Sequence, residues 1–154
     1  MSLIPDPSDQ FRSPARTYRI QSPPVSTSAS LLRTINRGMI AFDLALGSGA
    51  LLAPDATLRA LGHDAPSEDA RHLFRRCGPI WLTFAAAHLV AAIRDRPEDW
   101  HALAWLRGTE IATDVVWSRS PAVSRPGAKA GLWMAGAFNL AVAAGFEGLA
   151  RRRG

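Results

Sequence analysis

Arg107, Glu110 and Asp114 stand at i, i+3 and i+7, one stripe of a helix. Three more polar side chains interrupt otherwise apolar stretches: Asp43, His88 and Asn139. Two chemistries fit such a set. One is interhelical salt bridges and hydrogen bonds that fix which helices pair. The other is a proton, quinone or anion site, because ionisable groups placed inside a membrane are functional by default. Glu110 and Asp114 are paired carboxylates of the kind acid–base catalysis uses, but Arg107 on the same stripe makes charge pairing the simpler account. His88 lies in FAAAHLVAA. A neutral imidazole there is a possible ligand for a haem iron or a chlorophyll magnesium, with small neighbours leaving room for the macrocycle. Otherwise the catalytic inventory is empty. There is no glycine-rich phosphate loop, no CxxC, no HExxH and no serine elbow. The single cysteine, Cys77, excludes an internal disulfide and a multi-cysteine metal site. The reading is a protein that is not an enzyme and binds no metal.

The elements that must position these groups are legible in the hydropathy pattern. Residues 1–34 are rich in Pro and Ser, show no persistent period, and cannot bury enough apolar surface to fold alone. They are neither a signal peptide nor a mitochondrial presequence, since no short apolar core follows a basic start and the prolines forbid a continuous amphipathic helix. Ordering such a tail needs a partner surface. Residues 35–150 then carry four apolar segments, expected as helices over about 35–54, 67–94, 98–118 and 128–150. Pro54 suits the start of a short extra piece, PDATLRALG, and Gly62 its end. Ser67, followed by Glu68 and Asp69, suits a helix N-terminus. Pro79 should kink the second helix near its start.

The fold class expected is all-α, a four-transmembrane-helix bundle behind an irregular polar tail. A soluble bundle competes, because the first segment is marginal in length and the third carries charge. Three features favour lipid. Residues 130–146 have no polar face, which a soluble surface helix needs. The five tryptophans, Trp81, Trp100, Trp105, Trp117 and Trp133, lie toward segment ends, as interfacial aromatics do. Small residues recur at four-residue spacing, Ala41, Ala45, Gly49 and Ala53 in the first helix and Gly131, Ala135 and Ala143 in the fourth. Each charge near a bilayer centre costs roughly 2.5–3.5 kcal/mol, so the third helix must turn its stripe toward other helices. Asp43 and Arg107 each lie eight residues into parallel helices, about 12 Å deep at 1.5 Å per residue, and His88 reaches the same level from the opposite direction. Those three, with Glu110, are expected to form one network, with Asp114 deeper.

Basic residues flank the apolar stretches instead of forming a patch, which argues against nucleic-acid binding. Ten fall on the side of the termini and seven on the other, favouring cytoplasmic N- and C-termini in a bacterial inner membrane.

The sequence of LLAPDATLRALG, FRRCGPIWLTFAAAHL and a polar third helix with LRGTE resembles the DoxX-like group of small four-helix bacterial membrane proteins over about residues 35–150. The resemblance implies a membrane protein associated with oxidoreductases acting with quinone, or a transport role; it carries over no functional residue. Without catalytic motifs, and with a tail that needs a surface, the first expectation is a non-catalytic accessory subunit of a larger respiratory or photosynthetic electron-transfer complex, contacting lipids and other integral subunits. The alternatives are a DoxX-like redox-associated or transport protein using the buried stripe, and a pigment or haem subunit through His88. No cofactor is required; bound lipid, quinone, bacteriochlorophyll or haem are the candidates.

Overall fold

A computed structural model describes residues 27–152, which form five helices and no strand. They are α1 (Thr27–Leu52), α2 (Pro54–Ala60), α3 (Glu68–Arg94), α4 (Pro97–Ser118) and α5 (Pro126–Arg151). The all-helical class stands. Residues 1–26 of the expected tail lie outside the described residues.

Local chemistry explains most boundaries. Proline occupies the first turn of α2, α4 and α5, where its missing N–H has no helical acceptor to lose. Ser67 caps α3, its Oγ accepting from the Ala70 N–H at 3.2 Å. α3 ends at Asp95, which adopts the left-handed conformation (φ 49°) open to Asp. The Asp95 carboxylate accepts from Trp100 Nε1 at 2.8 Å and from Arg33 at 3.2 Å, pinning the α3–α4 corner. After α2, Gly62 turns at φ 105°, and the His63 N–H returns to the Leu58 carbonyl at 3.0 Å.

α1 begins at Thr27, eight residues before the expected start at 35. Its added turns carry Ala29 and Leu32, beside Ile35, into an apolar cluster with Phe146, Leu149 and Ala150 of α5. That contact is long-range, so no local period announces it.

α1 packs along α3 and α4 along α5; the two pairs meet more sparingly, mainly through α3 and α4. The pairing is antiparallel and leaves apolar layers at both ends. One gathers Trp100, Leu103, Val142 and Phe146. The other gathers Ala50, Leu58 and Phe74, with Trp81 and Trp117 against them. α1 and α3 touch most closely at two glycines. A Cβ on Gly47 would lie 2.9 Å from the Gly78 carbonyl oxygen, and one on Gly78 would lie 2.6 Å from Leu51. The small residues expected to pack divide: Gly49 lies against α2, where a Cβ would stand 2.6 Å from the Thr57 hydroxyl, but Ala41 and Ala45 face outward, and a Cβ on Gly131 would meet nothing within 4 Å.

The tryptophans divide. Trp105 and Trp133 are 70% and 52% exposed, Trp81 and Trp117 are half-buried, and Trp100 is buried. Trp100 is therefore a core residue and not an interface aromatic, because Asp95 satisfies its indole N–H inside the protein and Phe146 stacks on its ring. α3 and α5 are long and apolar enough to cross a membrane. Only 22% and 28% of their apolar stretches are buried within the protein, unlike the core helix of a soluble domain.

Candidate functional site

Between the two apolar layers, α1, α3 and α4 bring Asn36, Asp43, His88 and Arg107 together, each at most 1% exposed. Arg107 donates to the Asp43 carboxylate. Its Nε and Nη2 also approach His88 Nε2 at 2.9 and 2.7 Å. A guanidinium only donates, so Nε2 must accept, and the proton of a neutral His88 sits on Nδ1. Nδ1 faces Asn36 Oδ1 at 2.5 Å, and Asn36 returns a hydrogen bond from Nδ2 to the His88 carbonyl at 3.0 Å. Every link fixes the next: Asn36 sets the tautomer, the tautomer supplies an acceptor to Arg107, and Arg107 neutralises Asp43. The Phe84 ring covers the guanidinium at 5.8 Å.

This arrangement corrects one expectation. Both ring nitrogens of His88 are engaged, and Arg107 occupies the direction an iron or magnesium would take. His88 does not fit axial ligation of haem or chlorophyll. Arg107 likewise directs its Nε and Nη2 donors to His88 and Asp43.

Glu110 and Asp114 point elsewhere, into a cleft between the helix pairs. Its volume is about 1010 Å³, at the upper end of small-molecule sites. α1 supplies Met39, Phe42 and Leu46, α3 supplies Trp81, and α4 supplies Arg107, Glu110, Thr113, Asp114 and Trp117. α5 supplies Gly131, Leu132, Met134, Ala135, Phe138 and Asn139. The walls are thus apolar and aromatic, with polar groups gathered along one stripe. Asn139 Nδ2 donates to Asp114 Oδ2 at 3.0 Å. Asn139 Oδ1 and Asp43 Oδ1 are buried without a hydrogen-bond partner among the described residues. Gly136 lets the α5 backbone approach Asp114, whose Cβ lies 3.6 Å from where a Gly136 Cβ would stand.

The six polar residues singled out from sequence therefore fall into two groups. Asp43, His88 and Arg107 form the closed network; Glu110, Asp114 and Asn139 line the cleft beside it. Asn36 was missed as a member. Its signal was present, seven residues before Asp43 and hence on the same face two turns away. Glu147 stands apart at the other end of α5, bound to His101 at 2.7 Å and Arg151 at 2.8 Å. His63, in the loop after α2, is buried. The Gly62 turn tucks it under Trp117, whose Nε1 donates to His63 Nε2 at 3.1 Å, and burial lowers its pKa. Among the described residues no group of His, Cys, Asp and Glu is arranged to hold a metal ion.

Comparison of the chain with models of protein families, with curated proteins and with solved structures finds no match.

Proposed function

We propose that this chain is a four-span membrane protein that takes a hydrophobic molecule into the cleft between its helix pairs. The observation that carries the reading is an uncharged outer belt. From Gly38 to Leu52 the exposed residues of α1 include Phe42, Leu44, Leu51 and Leu52, and none is charged. From Ala102 to Val116 the exposed residues of α4 are Ala102, Trp105, Thr109, Ala112, Thr113 and Val116. Over residues 79–93 and 130–146 the exposed faces of α3 and α5 are equally free of charge. All four long helices thus present a lipid-compatible surface, while Asp43, Arg107, Glu110 and Asp114 turn inward. The hydropathy of α1 and α4 is lowered by groups that the fold keeps from the exterior.

Within that belt the cleft brings apolar walls and ionisable groups to face one space. Binding or passage of a hydrophobic molecule fits it, in line with the redox-associated or transport role that the DoxX-like resemblance implies. The basic residues, ten against seven, support a bacterial inner membrane with both termini cytoplasmic. Mass spectrometry of the full chain after gentle detergent extraction tests the reading. A hydrophobic molecule should be retained near one per chain and be lost in Gly131→Trp, which fills the cleft where open space now stands. Retention unchanged by Gly131→Trp would refute it.

The accessory-subunit reading has one observation of its own. Phe42, Met134 and Phe138 are exposed and also line the cleft, so its rim is continuous with the outer surface and open to a partner helix. Photocrosslinking from position 42 or 138 in native membranes separates the readings: a distinct protein adduct supports a subunit, a lipid-soluble adduct supports a ligand.

A further inference from the structure

The charge balance of the cleft identifies the class of molecule it takes. Glu110 and Asp114 line it, and the one guanidinium near them, Arg107, also serves Asp43 behind the wall. His88 adds no charge, because its Nε2 must accept from Arg107. Arg107 is committed to Asp43. Asp114 has an amide donor in Asn139 and no ion pair among the described residues, and Glu110 has none either. Two carboxylates therefore face a largely apolar cleft with no ion pair of their own among the described residues. Arg125, the other basic side chain at the cleft, is paired with Asp64 at 3.2 Å and donates to the Arg59 carbonyl.

A second observation concerns the amide beside these acids. Asn139, 6% exposed, is among the residues lining the same space; its Nδ2 donates to Asp114, and its buried Oδ1 has no partner among the described residues. A buried amide oxygen left unpaired is costly, and it calls for a donor. The walls are the third. Trp81, Trp117 and Phe138 present aromatic surface, which attracts a desolvated cation as well as an apolar body.

We propose that the cleft binds a lipophilic cation: an organic ammonium or similar onium group on a bulky apolar body, its charge lying between Glu110 and Asp114. This rests on the cleft reading above. Quinones and lipid anions bring no positive charge to set against Glu110 and Asp114.

Equilibrium binding to the purified full chain in non-ionic detergent tests it with three isosteric probes. These are tetraphenylphosphonium (cation), tetraphenylsilane (neutral) and tetraphenylborate (anion), read by quenching of tryptophan emission and by radiolabelled probe. The cation should bind at least about tenfold more tightly than the neutral probe, and Glu110→Gln and Asp114→Asn should each erode that preference by about tenfold. Glu110 is half-buried and makes no hydrogen bond among the described residues, so Glu110→Gln should elute and melt as wild type and remain informative if Asp114→Asn unfolds. Equal binding of cation and neutral probe, unaffected by Glu110→Gln, would overturn the cation assignment while leaving an apolar cleft. Preference for tetraphenylborate would overturn it too. Binding of none of the three, with Gly131→Trp also silent, would take the cleft reading down with it.

Discussion

Arg107 cannot be removed without stranding two neighbours. Its loss leaves Asp43 as a buried charge and His88 Nε2 as an acceptor with no donor. Breaking one partner of a buried ion pair costs roughly 3–5 kcal/mol, whereas replacing the pair by apolar residues of similar volume is often neutral. Arg107→Met and Asp43→Leu should therefore each lower the thermal midpoint in detergent sharply, and the double variant should recover most of the loss. A double-mutant cycle followed by circular dichroism measures this; additive losses would mean the two groups do not depend on each other. His63 offers a residue-scale prediction of a different kind. Burial holds its pKa below the ordinary 6.5, so the folded protein keeps it neutral where the unfolded chain takes up a proton. That contribution to stability is present above pH 6.5 and is lost as pH falls toward the folded value. Protonation would also remove the acceptor that Trp117 Nε1 uses. The midpoint should drop between about pH 7 and pH 5, and His63→Gln, which keeps an acceptor for Trp117 without titrating, should drop less.

At the scale of elements, glycine placement divides into contacts and vacancies. Gly47 and Gly78 let α1 and α3 touch, and a methyl at 47 would press on backbone 2.9 Å away, which cannot step aside as a flexible side chain can. Gly47→Ala should cost about 1–3 kcal/mol by forcing the helices apart. Gly148 is helical, and a methyl group added there would meet nothing within 4 Å. It should respond oppositely, Gly148→Ala stabilising α5 by about 0.5–1 kcal/mol. Chemical denaturation of both variants in mixed micelles reads the two signs. The same contrast explains how far the elements were legible. Pro54 and Ser67 mark helix starts because the proline first turn and capping are local events. Four-residue spacing of small side chains in α1 pointed at Ala41 and Ala45, but the contact uses Gly47, because which face of a helix meets a neighbour depends on the partner's surface. The early start of α1 and the burial of Trp100 were hidden for the same reason: both depend on Phe146 of α5, remote in the chain from either. The depth argument that aligned Asp43, His88 and Arg107 needed only helix rise and alternating direction, which a sequence supplies. The cleft needed the spacing between helix pairs, which it does not.

At the scale of the whole molecule, the number of bilayer crossings turns on an argument from the fold that helix-by-helix hydropathy lacks. Hydropathy counts Asp43 against α1 and Arg107 against α4 as separate penalties, each roughly 2.5–3.5 kcal/mol near the membrane centre. Packed together they are one neutral pair, sealed by Asn36, His88 and Phe84. The penalty applies to the isolated helices and is relieved on assembly, so in the proposed topology α1 and α4 would cross only in the company of α3. Two topologies then make opposite statements about two loops. If α1, α3, α4 and α5 all cross, Arg96 between α3 and α4 and Ser120 between α4 and α5 lie on opposite sides of the membrane. If only α3 and α5 cross, α4 lies along one surface and both positions share a side. With Cys77 replaced by Ala to remove the native thiol, Arg96→Cys and Ser120→Cys should label from opposite faces with a membrane-impermeant maleimide, in oriented vesicles and in their inverted counterparts. Position 96 should react on the side that carries both termini. Labelling of both positions from one face would reduce the protein to two spans, and the Asp43–Arg107 pair would then need an explanation outside the bilayer.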